Sequence, residues 1–192
     1  MASAGSSYLK NSFIFLVTGN DRVMLVETRD THGKLVWGPP GGGIESKDSG
    51  PFAAMKREFT EETGFVLPQL NNPGQSYDYI PYRARIYYNE TDKKFKPFDP
   101  KDSERGEVKR LYYFKISDII SYDKVRKTFV INNPTHLGPL RGAFVTSLTE
   151  MLKDKNFRFF LFKYMTGGSY EYKYLKYKTK YNNLLLKLNK SL

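Results

Sequence analysis

The sequence contains no cysteine and only two histidines. The absence of cysteine excludes a disulfide scaffold, a cysteine-ligated zinc or iron–sulfur site, and a thiol nucleophile. Any metal site must therefore use oxygen ligands or the two histidines. Long hydrophobic runs are also missing near the start, where the longest, residues 13–17, is too short for a signal sequence or a membrane span. We therefore expect a cytoplasmic protein with no membrane partner.

Acidic residues are outnumbered by basic ones, and the formal net charge of +11 favours a polyanionic partner. The excess is uneven, because residues 163–192 hold seven lysines and one glutamate. The 192 residues are 40% hydrophobic and 16% aromatic, which is enough for the core of one domain. We predict a folded domain over residues 1–166 and a basic helical tail over residues 167–192, following Gly167-Gly168-Ser169.

The predicted tail carries tyrosine and leucine at spacings of 4, 3, 4, 3 and 4 from Tyr170 to Leu188. This heptad seam predicts a helix that packs on the domain or on a second copy, so a homodimer through the tail is expected. Nucleic-acid binding through the interleaved lysines and tyrosines is the alternative. The Lys/Tyr/Asn-rich composition resembles that of tails in large DNA viruses of protists, which implies host cytoplasm or the virion as the location.

Apolar alternation predicts two paired strands, over residues 8–17 and 22–28. A short strand over residues 34–37 runs into Gly38-Pro39-Pro40-Gly41-Gly42-Gly43, which we expect to be a rigid loop. The next segment, Pro51–Thr63, is predicted as a helix. Asp48 or Ser49 can cap its free N–H groups, Pro51 suits its first turn and Gly64 suits its end.

The middle of the chain is aromatic and prone to form strands. Residues 77–88 and 108–116 each predict a strand, separated by an exposed loop over residues 89–106. Residues 140–156 place Phe144, Leu148, Met151 and Leu152 at helical spacing, which predicts an amphipathic helix over the sheet. The order of elements indicates an α/β fold with a mixed sheet in a sandwich.

Three glutamates of the predicted helix, Glu58, Glu61 and Glu62, project from one side of it. Their mutual repulsion favours a bound divalent cation, because Mg²⁺ prefers carboxylate oxygens. A solvated helix face is the alternative. The glycine-rich segment upstream, and Arg57 beside the first glutamate, favour the metal site.

These residues resemble the Nudix box, GX5EX7REUXEEXGU with U apolar. The run Arg57-Glu58-Phe59-Thr60-Glu61-Glu62-Thr63-Gly64-Phe65 fits every specified position, and Trp37-Gly38-Pro39-Pro40-Gly41-Gly42 matches the W-x-x-P-G-G that usually precedes the box. The first half departs from the pattern. Opened at Gly42, the box has Asp48 in place of the first glutamate and one inserted residue. Opened at Gly43, it has Ser49 there and no insertion.

The resemblance implies a Nudix α-β-α sandwich over about residues 8–160 and hydrolysis of a diphosphate joined to another moiety. It implies that Mg²⁺ or Mn²⁺ is bound by the Gly41 carbonyl, Glu58, Glu61 and Glu62, with Arg57 holding a glutamate in place. Glu58 is the first choice for the general base. Glu107 is at a place where many relatives carry a loop glutamate that completes the metal site or acts as base, although an exposed turn residue is an equal interpretation.

Substrate-binding residues are expected at Gly42 and Gly43 and on the predicted strand over residues 77–88, at Tyr82, Arg83 and Arg85. If that segment is one strand, Tyr79, Arg83, Arg85 and Tyr87 share one face, and Ile80, Tyr82, Ala84 and Ile86 share an apolar core face. Pro81 and Tyr82 resemble the ADP-ribose and dinucleoside polyphosphate branches of the family, whereas the triple glycine resembles the diphosphoinositol polyphosphate branch. Basic residues of the predicted loops could bind that substrate or capped RNA, as in the decapping branch. They are Lys93, Lys94, Lys96, Lys124, Arg126 and Lys127.

Two classes of function follow. The first is a Mg²⁺-dependent pyrophosphohydrolase acting on a small nucleotide-type diphosphate, on an mRNA cap or on a diphosphoinositol polyphosphate. The second is a non-catalytic module on a Nudix scaffold that binds RNA or inositol phosphates, and the altered first half of the box favours it. Because both glutamates of the EE pair are present, we expect the enzyme.

Overall fold

The computed structural model describes residues 8–19, 21–70, 75–123, 125–126, 128–132 and 137–165. The predicted tail and its heptad seam lie outside the described residues. Within these ranges, we find no helix that combines the length and the apolar character needed to cross a membrane.

A mixed sheet forms the centre of the described chain. Its seven strands are β1 (Asn11–Thr18), β2 (Arg22–Arg29), β3 (Leu35–Gly38), β4 (Gly41–Gly43), β5 (Ser76–Tyr79), β6 (Ala84–Thr91) and β7 (Arg110–Lys115). β1 pairs with β6 in parallel along its length and with β2 antiparallel, which confirms the predicted pairing of the first two strands. β3 and β7 pair with β2, and β5 pairs with β6. A separate hairpin joins β8 (Ile120–Asp123) and β9 (Thr128–Ile131).

The sheet forks between β1 and β2, which pair only near their connecting turn. β4 pairs with the beginning of β1, and β3 pairs with the end of β2. The expectation of a loop over residues 38–43 is therefore wrong in part, because its three consecutive glycines form a strand. Gly41 allows this, since its φ is 138° and an added Cβ would lie 2.3 Å from the carbonyl oxygen of Ser12. The glycines thus permit a close backbone approach.

Helices cover both faces of the sheet. They are α1 (Pro51–Thr63), the single turn α2 (Ile116–Ile119), α3 (Gly142–Met151) and α4 (Lys155–Met165). The bounds of α1 are those predicted, but its N-cap is Gly50 and no side chain caps it. The helix predicted over residues 140–156 ends at Met151, and α4 was not predicted.

Two buried clusters explain why β1 is apolar on both faces. Ile14 and Leu16 pack with Met55 and Phe59 of α1, whereas Phe15 and Val17 belong to the cluster that includes α3 and α4. The sequence of a strand that is buried on both faces is a continuous hydrophobic run. The four core residues predicted for the later helix are all buried, and the α/β class is confirmed.

The segment over residues 77–88 is two strands, not one. A 3-10 turn at Ile80–Tyr82 separates β5 from β6, and Arg83 follows in the left-handed conformation with φ 48°. Pro81 has no N–H to give to a ladder, which explains the break. The predicted faces are therefore wrong in part. Ala84 and Ile86 are buried as predicted, but Ile80 and Tyr82 are 61% and 44% exposed rather than in the core, and Tyr79 is 6% exposed.

Candidate active site

One cleft, of about 370 Å³, collects the predicted metal ligands. It lies between the glycine strand β4, the acidic side of α1 and the 3-10 turn that precedes β7. Its lining residues are Gly41, Gly42, Gly43, Glu45, Lys47, Glu58, Glu61, Glu62, Glu104 and Glu107. The structure thus brings Gly41, the three glutamates of α1 and Glu107 together.

Arg57 organises two of these glutamates. Its Nη1 donates to Glu58 Oε1 at 2.8 Å and to Glu61 Oε2 at 2.9 Å, and its Nη2 donates to the carbonyl oxygen of Gly43 at 2.8 Å. One guanidinium therefore uses one oxygen of each carboxylate. The pKa of Arg57 is raised by its hydrogen bonds to Asp48 and by its contacts with the two glutamates, so its charge is permanent.

Asp48 is the anchor of that guanidinium. Nε and Nη2 of Arg57 donate to Oδ1 and Oδ2 of Asp48 at 3.1 and 3.0 Å, which is a bidentate pair. The Asp48 side chain is only 5% exposed, and the hydrogen bond from Arg57 lowers its pKa. Ser49 is exposed. The structure therefore favours opening the box at Gly42, with Asp48 in the position of the first glutamate and Gly50, φ 151°, as the inserted residue.

Glu62 lies deepest of the three helix carboxylates. Its Oε2 accepts a hydrogen bond of 2.8 Å from the N–H of Gly41. Burial, helped by the charges of Glu58 and Glu107, raises the pKa of Glu62 to about 8, although the Gly41 N–H and the charge of Arg141 oppose the shift. Burial also raises the pKa of Glu58. Burial thus favours the protonated form of both carboxyl groups when no metal is bound.

The donor set of the cleft fits a hard divalent cation. Across the described part of the chain, no three Asp, Glu or His side chains are drawn together tightly enough to hold a metal ion as they stand. Arg57, however, takes only one oxygen each of Glu58 and Glu61. Six glutamates and one lysine line the cleft, and carboxylate oxygens are the ligands that Mg²⁺ and Mn²⁺ prefer. The residues present therefore suit such an ion.

The predicted substrate-binding residues separate into two groups. Gly42 and Gly43 line the cleft, and a Cβ added at Gly42 would lie 2.5 Å from Glu58 Oε2. Arg83 and Arg85 are not among the residues that line it. Arg83 donates to the carbonyl oxygen of Tyr8, and Arg85 forms a bidentate pair with Asp78 at 2.6 and 2.7 Å.

Tyr82 lines a second, mostly apolar cavity of about 210 Å³. A third depression, hereafter the junction, shares Glu62 and Glu107 with the acidic cleft and Arg141 with the apolar cavity. It is lined by Thr28, Arg29, Glu62, Gly106, Glu107, Lys109 and Arg141.

Sequence reasoning missed Glu45, Lys47, Glu104 and Arg141. Glu45 and Lys47 lie inside the Nudix-like segment, where the pattern leaves their positions unspecified. Glu104 could have been found from its spacing of three residues from Glu107. Arg141 is the N-cap residue of α3, far from the box in sequence, and no local pattern marks it.

Comparison with known proteins identifies the domain. Residues 8–132 match the model of the NUDIX domain. A NUDIX hydrolase from Nitrosomonas europaea is 19% identical, with 72% of this chain and 86% of that chain covered and a TM-score of 0.43. The NUDIX domain of NrtR from Shewanella oneidensis, in complex with ADP ribose, is 16% identical over 78% of this chain and 89% of that chain, with a TM-score of 0.48. A MutT NUDIX hydrolase from Burkholderia pseudomallei is 18% identical over 72% and 93%, with a TM-score of 0.46. No curated protein matches the chain.

Proposed function

The chain belongs to the Nudix family, and from that premise we propose that it is a Mg²⁺- or Mn²⁺-dependent hydrolase that cleaves a diphosphate bond in a nucleotide-type substrate. The observation that carries the proposal is the cleft itself, in which six glutamates stand beside a glycine strand. Such a cleft repels a diphosphate unless divalent cations lie between the two.

The three helix glutamates, two of the glycines and Arg57 have separate roles in this proposal. Glu58, Glu61, Glu62 and the Gly41 carbonyl would hold the metal ions. When bound, a divalent ion neutralises the diphosphate and makes water more acidic. Arg57 keeps Glu58 and Glu61 in fixed rotamers through Nη1. Gly42 leaves room for the Glu58 carboxylate, because any side chain there would overlap it.

Glu58 is the proposed general base. Arg57 holds its Oε1, which leaves Oε2 on the side of Gly42 to accept a proton from the attacking water. Burial raises the pKa of Glu58, which increases its basicity relative to an exposed glutamate. Glu107 is exposed at the cleft rim and is the second candidate.

The alternative of a non-catalytic binding module loses its support. That alternative depended on the altered first half of the box. Asp48, which stands there, makes a bidentate contact with Arg57 and so connects the altered half to the catalytic helix. The capped-RNA and diphosphoinositol polyphosphate substrates, and the homodimer, stay predictions.

The test measures product formation from a panel of candidate substrates in the presence of Mg²⁺ or Mn²⁺. The panel contains nucleoside triphosphates, ADP-ribose, dinucleoside polyphosphates, capped RNA and diphosphoinositol polyphosphates. We expect cleavage of a nucleotide-type member. Glu61→Gln should lower kcat at least about 100-fold, because it removes a charge that the metal needs. Asp118→Asn, at an exposed position on α2, is the control and should retain activity. Full activity of Glu61→Gln would refute the metal assignment.

A further inference from the structure

One wall of the acidic cleft comes from the segment that joins β6 to β7. This segment contains two 3-10 turns, Pro100–Asp102 and Glu104–Gly106. Its Glu104 and Glu107 line the cleft together with the glutamates of α1. The two groups of carboxylates are far apart in sequence. Contacts between the segment and α1 therefore set the distance between them.

An aromatic contact joins the beginning of this segment to the end of α1. The ring of Phe95 stacks on the ring of Phe65, with centroids 5.0 Å apart and an interplanar angle of 26°, and its centroid lies 6.2 Å from that of Phe59. Phe59 is fully buried in α1, and Phe65 directly follows the C-cap residue of that helix. Aromatic pairs of this kind add to the stabilisation that burial provides. The segment is thus anchored where the glutamate helix ends.

Gly64, the C-cap residue of α1, makes room for the first of the two turns. A Cβ added to Gly64 would lie 2.5 Å from the Cβ of Asp102 and 2.9 Å from its carbonyl oxygen. No change of rotamer moves these two atoms, so the turn itself would have to move. Gly33 has a similar backbone, with φ 75° against 66°, but a Cβ there would meet nothing within 4 Å. Gly64 therefore lacks a side chain for two reasons, its φ and the close approach of Asp102.

An ion pair between Lys96 and Asp102 stabilises this contact. The C-terminal end of a helix carries partial negative charge and disfavours a carboxylate beside it. Lys96 Nζ lies 2.7 Å from Asp102 Oδ2 and offsets the charge that Asp102 brings to the end of α1. The N–H of Asp102 also donates to the carbonyl oxygen of Asp99 at 2.8 Å. The turn is thus held against Gly64 by an ion pair and by its own backbone.

A closed turn connects Asp102 to Glu107, which follows it by five residues. The N–H of Gly106 donates to the carbonyl oxygen of Ser103 at 3.2 Å. The Ser103 hydroxyl oxygen accepts a hydrogen bond of 3.3 Å from the N–H of Val108, and both residues are buried. A displacement of Asp102 is therefore passed on to Glu107, because the turn between them is closed by its own hydrogen bonds.

We propose that Gly64 is a positioning residue, whose missing side chain lets Asp102 lie on the end of α1 and so places the Glu107 carboxylate where it helps to bind a divalent ion. The inference rests on the proposed function, in which such ions occupy the cleft. One glycine then has two tasks, because it ends the helix that carries three of the glutamates and determines where a fourth one lies. Lys96 supports the same placement through Asp102.

A double-mutant cycle on Mn²⁺ binding tests the proposal without any substrate. Calorimetry measures the Mn²⁺ affinity of the full chain for the wild type, Gly64→Ala, Glu107→Gln and the double variant. Gly64→Ala should weaken Mn²⁺ binding about tenfold, because residues that orient a metal ligand have effects of this size. In the Glu107→Gln background, the same substitution should change the affinity less than about twofold, because the carboxylate that it displaces is already absent.

Lys96→Gln tests the same contact without changing a glycine. Loss of a positive charge by itself favours a bound cation, whereas loss of positioning weakens its binding, so the two explanations predict opposite signs. We expect Lys96→Gln to weaken Mn²⁺ binding and Lys96→Arg to restore it.

Two matched controls accompany these variants. Gly33→Ala imposes the same kind of backbone strain where a Cβ meets nothing within 4 Å, and Lys94→Gln removes an exposed positive charge from the same segment. Neither should weaken Mn²⁺ binding. Thermal unfolding of each variant identifies a temperature at which all of them are folded, and the affinities are compared there.

The outcomes separate this inference from the proposed function. Equal losses of Mn²⁺ affinity from Gly64→Ala in both backgrounds, or tighter binding by Lys96→Gln, overturn the inference even if the wild type hydrolyses a member of the panel. A cycle that depends on Glu107, in a protein that hydrolyses nothing, supports the inference and overturns the proposed function. A wild type that binds no Mn²⁺ overturns both.

Discussion

We expect that replacing Glu62 stabilises the metal-free protein and abolishes its activity. Burial raises the pKa of this carboxyl from the ordinary 4.5 to about 8. A raised pKa means that the folded state binds the proton more tightly than the unfolded state does. The stability from Glu62 is therefore fully present below pH 4.5 and is lost as the pH rises toward about 8. Glu62→Gln imitates the protonated form at every pH.

The magnitude follows from the same linkage. Between the ordinary pKa of 4.5 and the folded-state pKa of about 8, each pH unit lowers the free energy of unfolding by about 1.4 kcal/mol. Between pH 4.5 and pH 7 this amounts to about 3 kcal/mol. Water in the open cleft weakens the effect, so we expect Glu62→Gln to be about 2 kcal/mol more stable than the wild type at pH 7 without metal.

Urea unfolding in EDTA, from pH 5 to pH 8, measures this difference. The gap between Glu62→Gln and the wild type should widen as the pH rises. Added Mg²⁺ should then raise the free energy of unfolding of the wild type, because it binds the folded state, and should raise that of Glu62→Gln less. Glu104→Gln is the control, because it removes an exposed carboxylate from the same cleft. The reasoning is refuted if Glu62→Gln is no more stable than the wild type at pH 8 in EDTA.

Two substitutions, Asp48→Asn and Gly42→Ala, test the rest of the site, with Ser49→Ala as a control, and Gly64→Ala tests the end of α1. Asp48→Asn should lower kcat about tenfold or more, because it weakens the contact that holds the Arg57 guanidinium. Ser49→Ala should leave kcat unchanged. Equal effects of the two substitutions would contradict the alignment of the box. Because the pKa of Asp48 is lowered, the stability deficit of Asp48→Asn should vanish in urea titrations as the pH falls through that pKa. Gly42→Ala should reduce kcat with little loss of stability, because its Cβ would meet Glu58 Oε2 at 2.5 Å. Gly64→Ala should destabilise the fold by at least about 1 kcal/mol in thermal unfolding, since the φ of Gly64 is 66°.

The helix that carries the candidate site could be predicted to the residue. Its limits, Pro51 and Thr63, are set by local signals, namely proline at the first turn and glycine directly after the last. The cluster of its glutamates follows from helical spacing alone. Features with a local cause are therefore visible in the sequence.

Features with a distant cause were not visible. The glycine strand depends on the approach of Gly41 to Ser12, which are far apart in sequence. The break near Pro81 has a local signal that the aromatic pattern concealed. Arg141 reaches the site only because the chain returns to Trp37 after β9. Tertiary contacts of this kind decide which residues meet, and they place Arg83 and Arg85 outside the lining of the acidic cleft.

The contact between Asp48 and Arg57 makes loop length and side-chain length interdependent. The chain has one residue more than the family pattern between these positions, Gly50, and an acid that is one methylene shorter than glutamate. Both carboxylate oxygens nevertheless reach the guanidinium. We therefore expect the insertion and the substitution to compensate each other, so that either change alone is harmful. Removing Gly50 should be tolerated only together with Asp48→Glu, and a mutational path between the two forms must pass through a less active intermediate.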